Sequence, residues 1–131
     1  MARREIIVPK NDKLNVSRNL NLPHSPGIRA GDFIFLSGML STDPQTGERS
    51  PGTMAHETRQ TLTNMRHLLE SAGSSLERLV QVRAMIYDRI EYDALNRVYR
   101  QYVPSGPPAR TVWSVRIMDA FKVQLDAIAV I

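Results

Sequence analysis

Apolar residues along this chain follow two spacings, one of two positions and one of three to four, and the change between them marks the elements. Ile6-Ile7-Val8 is a short apolar run stopped by Pro9, and Asp32-Phe33-Ile34-Phe35-Leu36-Ser37 is rich in aromatic and branched side chains, so both read as strands. Between Thr42 and Glu48, Asp43 and Pro44 favour turn initiation and Gly47 tolerates positive φ, which predicts a chain reversal. From Met54 to Ala72 the apolar or small residues fall at Met54, Thr58, Leu62, Met65, Leu69 and Ala72, one stripe of a helix. Gly73 suits its C-terminal cap, and Ser74 with Glu77 three residues on predicts a capping box on a brief turn.

The segment from Leu79 to Tyr87 alternates, which predicts a strand sending Val80, Val82, Ala84 and Ile86 to the core and Gln81, Arg83, Met85 and Tyr87 to the other face. A second helix is expected from Ile90 to Val103, with Tyr92, Leu95, Tyr99 and Tyr102 on its buried stripe and Pro104 ending it. Two further strands are expected over Thr111–Ile117 and Phe121–Ile131. The last turns Phe121, Val123, Leu125, Ala127 and Ala129 inward and Lys122, Gln124, Asp126 and Ile128 outward. This order predicts an α+β sandwich with two helices on one face of a mixed sheet. The opposite face, carrying Arg83, Met85, Tyr87, Gln124, Asp126 and Ile128, is too apolar to be simply solvated, so another copy of the chain is expected to cover it. A cleft between subunits, lined by strand ends, is then the natural place for a ligand.

A length of 131 residues fits one domain over 1–131, and 42% hydrophobic with 23% charged residues excludes disorder and coiled coil. No apolar run approaches the roughly 20 residues of a membrane-spanning helix. Met1-Ala2-Arg3-Arg4-Glu5 leads into a strand-like segment and not a signal sequence, so a soluble, cytoplasmic protein without a membrane partner is expected. The absence of cysteine removes disulfides, thiolate metal sites and a cysteine nucleophile. The net charge of +4 permits an RNA or phosphate partner. Its densest stretch, Arg3, Arg4, Lys10, Lys13 and Arg18, is interrupted by Glu5 and Asp12 and reads as a solvated, mildly basic surface.

Among motifs, Pro107-Pro108-Ala109-Arg110-Thr111 stands out. Proline fixes φ and pushes the residue before it towards extended backbone, so the pair stiffens the approach to a strand and presents Arg110 in one place. A planar guanidinium held this way can grip a carboxylate through two parallel N–H bonds; a surface ion pair is the alternative. His56-Glu57-Thr58-Arg59-Gln60 lacks the second histidine of a zinc-protease motif, and His56 and His67 lie about 16 Å apart along one helix, so no metal site is expected. Neither a glycine-rich phosphate loop nor a serine nucleophile elbow is present, and Ser37-Gly38 at a strand end offers only a hydroxyl and a backbone N–H.

Taken together, Phe35-Leu36-Ser37-Gly38, Asp43-Pro44-Gln45-Thr46-Gly47-Glu48, Ala72-Gly73-Ser74-Ser75, Pro107-Pro108-Ala109-Arg110-Thr111 and Ala127-Ile128-Ala129-Val130 resemble the Rid family, the reactive intermediate deaminases also known as YjgF-like or L-PSP endoribonuclease-like proteins. The resemblance runs from about Leu22 to Ile131. It implies a chorismate-mutase-like α+β fold, a homotrimer packed through its sheets, and ligand clefts at the subunit interfaces. Deaminase-type members hydrolyse unstable enamines or imines, such as those released by pyridoxal-phosphate enzymes, to a 2-oxo acid and ammonia, with no cofactor. By the resemblance, Arg110 matches the arginine that binds the substrate carboxylate, the backbone N–H of Val112 the amide that assists it, and Ser37 and Gly38 the pair that helps line the cleft.

Two departures from the family pattern bear on the chemistry. Deaminases of the family usually carry a glutamate where this chain has Gln124, and an amide cannot accept a proton at neutral pH; such a base contributes roughly 10²–10⁴ in rate. Asp126, two residues on and about 7 Å away on the same face, is a candidate substitute. His24 stands where a tyrosine is common; it either shares the acid–base work or only reshapes the cleft. Trp113 lies beside the cleft or in the core. Three functions are compatible with these residues. The preferred one is a 2-iminobutanoate/2-iminopropanoate deaminase-like hydrolase; next is a non-catalytic trimer that binds small carboxylates. An RNA-directed endoribonuclease or translation inhibitor ranks last, because the aromatics sit mostly on expected buried stripes and offer no base-stacking platform.

Overall fold

The computed structural model describes residues 3–103 and 105–131, so the expected helix stop at Pro104 lies outside the described residues. Six strands, β1 (Glu5–Ile6), β2 (Gly27–Ala30), β3 (Phe33–Met39), β4 (Leu79–Ile86), β5 (Ala109–Ser114) and β6 (Val123–Val130), form one sheet in the order β1-β2-β3-β6-β4-β5. All neighbours are antiparallel except β4 and β5. A parallel pair needs a crossover, and helix α3 (Tyr92–Tyr102) supplies it. The longer helix α2 (Met54–Ser71) follows the predicted reversal, which is closed by Asp43 N–H donating to the Glu48 carbonyl at 2.8 Å and by a Thr42–Arg49 bridge. A four-residue helix, α1 (Val16–Asn19), and β2 are too short to leave a periodic signature, and neither was expected from the pattern.

Both long helices pack on one face of the sheet. Thr53 caps α2 by accepting from His56 N–H at 3.1 Å, and Gly73, at φ +81°, ends it in the left-handed conformation that only glycine adopts without strain. The stripe Met54, Thr58, Leu62, Met65 and Leu69 is buried as predicted. It meets Leu95 of α3 and the inward rows of the sheet, Ile34, Val82, Ala84, Leu125 and Ala129, all fully buried.

Four local expectations are corrected. Val80 is 43% exposed and Leu79 takes its core place, because the β4–β6 register shifts between Leu79 and Gln81 and the extra residue is extruded as a bulge. Tyr92 is exposed, since a single 3-10 turn at Arg89–Glu91, capped by Asp88, precedes α3; Val98 joins the buried stripe instead. Ser74 makes no capping box: its hydroxyl donates to the Val130 carbonyl at 2.6 Å. β5 begins at Ala109 and stops at Ser114, while Ile117 and Phe121 are buried from the loop that leads to β6.

The face away from the helices is open. Phe33, Phe35 and Trp113 are exposed there beside Met85 and Ile128, so the aromatics are not confined to buried stripes as expected.

Glu57, on α2, is fully buried yet ionisable. Its carboxylate accepts from Gly52 N–H at 3.0 Å and from Lys122 N–H at 2.7 Å, and Lys122 Nζ lies 4.0 Å away while donating to the Gly52 carbonyl at 2.7 Å. This clasp fastens the start of β6 to the start of α2. Removing one member of such a buried set strands the rest, so Glu57→Ala is expected to cost about 3 kcal/mol, read as a lower urea midpoint at unchanged slope.

Candidate functional site

Arg110 sits on β5, the sheet's edge strand, three residues after Pro107. Its register partner is Val82, which in turn faces Ala127, and this row points towards the helices. There α3 meets it with Tyr92, Asn96 and Tyr99, spaced four and three apart and hence on one face. Arg110 Nη2 donates to Asn96 Oδ1 at 2.8 Å and to Tyr92 Oη at 3.4 Å. Its guanidinium carbon lies 4.7 Å from the Tyr99 ring centre and 5.9 Å from that of Tyr92. Stacking on an aromatic face and bonding a neutral amide fix the group without cancelling its charge. Arg110 forms no ion pair among the described residues, so the surface ion pair that sequence left open does not occur there.

The group faces a cleft of about 380 Å³ bounded by Tyr92, Asn96, Tyr99, Arg100, Pro108 and Arg110, with no acidic side chain among the described residues on its wall. The two tyrosines report its field. Asn96 beside Tyr92, and then the charge of Arg110, hold the Tyr92 phenol below its ordinary value of 10.0. Burial pushes Tyr99 above it, against the pull of Arg110. Val112 lies two residues along the same edge strand, its side chain packed against the core.

The other predicted residues gather elsewhere. Between Leu36 and Met39 the β3–β6 register shifts, placing Ser37 and Gly38 in an irregularity opposite the Leu125–Ala127 stretch of β6. A Cβ at Gly38 would fall onto the side-chain amide nitrogen of Gln124, so glycine there is what lets Gln124 lie flat on the backbone. The Ser37 hydroxyl donates to the Ser25 carbonyl at 2.5 Å, and the His24 ring nitrogen Nδ1 lies 3.4 Å from that same oxygen, on an exposed loop. Asp126 pairs in register with Arg83, and both its oxygens accept from that guanidinium at 2.7 and 3.0 Å. That hydrogen-bonded pair, followed by the attraction of the two charges, raises the Arg83 pKa. Gln124, Met85 and Trp113 form one register row, which puts Trp113 on the open face and not in the core.

Side chains alternate along a strand, so the row of Arg110 and the rows of Gln124 and Asp126 point to opposite faces of the sheet. One chain therefore does not bring Arg110 and the acid–base candidates together. His56 and His67 have local tasks: His56 Nε2 lies 2.9 Å from Ser50 Oγ, and His67 Nε2 accepts from Asn11 N–H at 3.0 Å. Asn96 and Arg100 were missed by the sequence reading. Their signal was a polar residue recurring one turn apart, flanking the Tyr92 and Tyr99 positions that were expected on the buried stripe.

The family model described as endoribonuclease L-PSP matches residues 18–131. A RutC family protein of Pyrococcus horikoshii is 36% identical over 108 residues, 82% of this chain and 86% of that one. The 2-iminobutanoate/2-iminopropanoate deaminase of Bos taurus is 34% identical over 109 residues, 82% of this chain and 80% of its own. The crystal structure of Escherichia coli TdcF with bound serine superposes with a TM-score of 0.77 at 29% identity, over 82% of this chain and 87% of that one. With its matched span, its α+β sheet and its ordered motifs in agreement, the chain belongs to the endoribonuclease L-PSP family, the Rid group.

Proposed function

We propose that this protein hydrolyses small 2-imino acids to 2-oxo acids and ammonia in a cleft that a second copy completes, with the substrate carboxylate on Arg110. The observation that carries this reading is the fixed, unneutralised guanidinium in a cleft without acidic walls. A deaminase of such substrates among the relatives, and an amino acid bound to a related structure, favour the same ligand class. In the reaction, water adds to the imine carbon and the resulting carbinolamine expels ammonia to leave the carbonyl. Orientation by a two-pronged clamp raises the effective concentration of water at that carbon. The open sheet face with Phe33, Phe35 and Trp113 is the surface the second copy covers, and the strand alternation explains why it is needed: Gln124 from one chain can approach the Arg110 of another.

A second reading has its own observation. Gln124 can orient water through its amide oxygen but cannot take a proton, and Asp126 spends both oxygens on Arg83, which is what a trimer that binds carboxylates without turning them over would show.

The two readings separate in one assay of 2-iminopropanoate generated in situ. For the deaminase, imine decay with the parent exceeds the uncatalysed rate and Arg110→Ala returns it to background. For the binder, the parent sits at background and Gln124→Glu alone raises the rate, by roughly 10²-fold if a general base is restored. Ligand binding is checked independently of turnover. A carboxylate on Arg110 cancels part of the positive field that favours the Tyr92 phenolate, so 2-oxobutanoate is expected to move the Tyr92 absorbance titration to higher pH, and an unchanged titration would place the ligand elsewhere.

A further inference from the structure

The cleft carries a second guanidinium that carboxylate binding at Arg110 does not use. Arg100 lies one helical turn beyond Asn96 on α3, on the face that holds Arg110, and it lines the same cleft. It forms no ion pair among the described residues, and no acidic side chain lines the cleft to neutralise it. Its charge also reaches the Tyr92 phenol, together with that of Arg110, so the two cations act on one space. Two like charges held around a shared cleft repel each other when it is empty, and a ligand that brings one negative charge relieves only half of that. A cleft of about 380 Å³ has room for a longer acid than the three- and four-carbon ones.

We infer that Arg100 makes this cleft selective for dianionic ligands, 2-imino and 2-oxo acids that carry a second carboxylate on the side chain, with Arg110 on the first carboxylate and Arg100 on the second. This rests on the reading of Arg110 as the carboxylate clamp and names the substrate class of that site. Because Arg100 is exposed, its contribution is screened by salt and worth about tenfold in affinity.

The test is calorimetric titration of the intact protein at low salt with 2-oxoglutarate and with 2-oxobutanoate, which requires no turnover. The parent is expected to bind 2-oxoglutarate about tenfold more tightly. Arg100→Gln should bring the two affinities within about twofold of each other by weakening 2-oxoglutarate alone, and Arg100→Lys should keep part of the preference. Equal affinities in the parent, or equal weakening of both acids by Arg100→Gln, would overturn the inference, the latter because it marks Arg100 as a source of general attraction. Circular dichroism of the variants confirms the fold. Preference for the dianion without any imine turnover would defeat the deaminase reading alone, whereas imine turnover without the preference would defeat this inference alone.

Discussion

A positive charge is cheap to hold when a carboxylate stands beside it and informative when none does. At the edge of this sheet the Arg110 guanidinium is fixed by a tyrosine face at 4.7 Å and an asparagine oxygen at 2.8 Å, partners that orient it and leave its charge to be met by something else. The unneutralised positive cleft follows from that choice of neutral partners. Had Asn96 been an aspartate, the same geometry would have made a closed surface pair with nothing to offer a ligand.

The sheet divides the molecule chemically as well as structurally. Its helix side is a dense apolar core that reaches out to Arg110; its open side holds Gln124, the Arg83–Asp126 pair and a group of uncovered aromatics. Alternation fixes this division residue by residue, and the two bulges, at Leu36–Met39 and Leu79–Gln81, adjust it locally without exchanging the faces of the central rows. Arg110 and the residues Gln124 and Asp126 are in this way assigned to different surfaces.

Much of this was legible from residue order. The α2 stripe, the inward row of β6 and the turn at Asp43 follow from periodicity and turn chemistry alone, and the Pro-Pro-Ala-Arg motif singled out Arg110, which the structure holds at the entrance of β5. What stayed hidden were features without period. A bulge moves Val80 out of the core by inserting one residue into a regular ladder, which no alternation reveals. Asn96 carries no local signal because its bond goes to a partner 14 residues away, and Glu57 none because its donors come from Gly52 and from Lys122, 65 residues on. Tyr92 was misplaced because a 3-10 turn shifts the start of α3 and with it the face the residue presents.

The parallel crossover from β4 through α3 to β5 has a wider consequence. Tyr92, Asn96 and Tyr99, which bond to and stack on Arg110, all lie on the helix that connects its strand to the sheet, so the guanidinium and its supports form a single sequence-local arm that carries its own scaffold. Such an arm can be reshaped by evolution at its outer turn, where Arg100 stands, without disturbing the distant ladder of β1, β2 and β3, and the charge of the cleft becomes separable from the stability of the body that displays it.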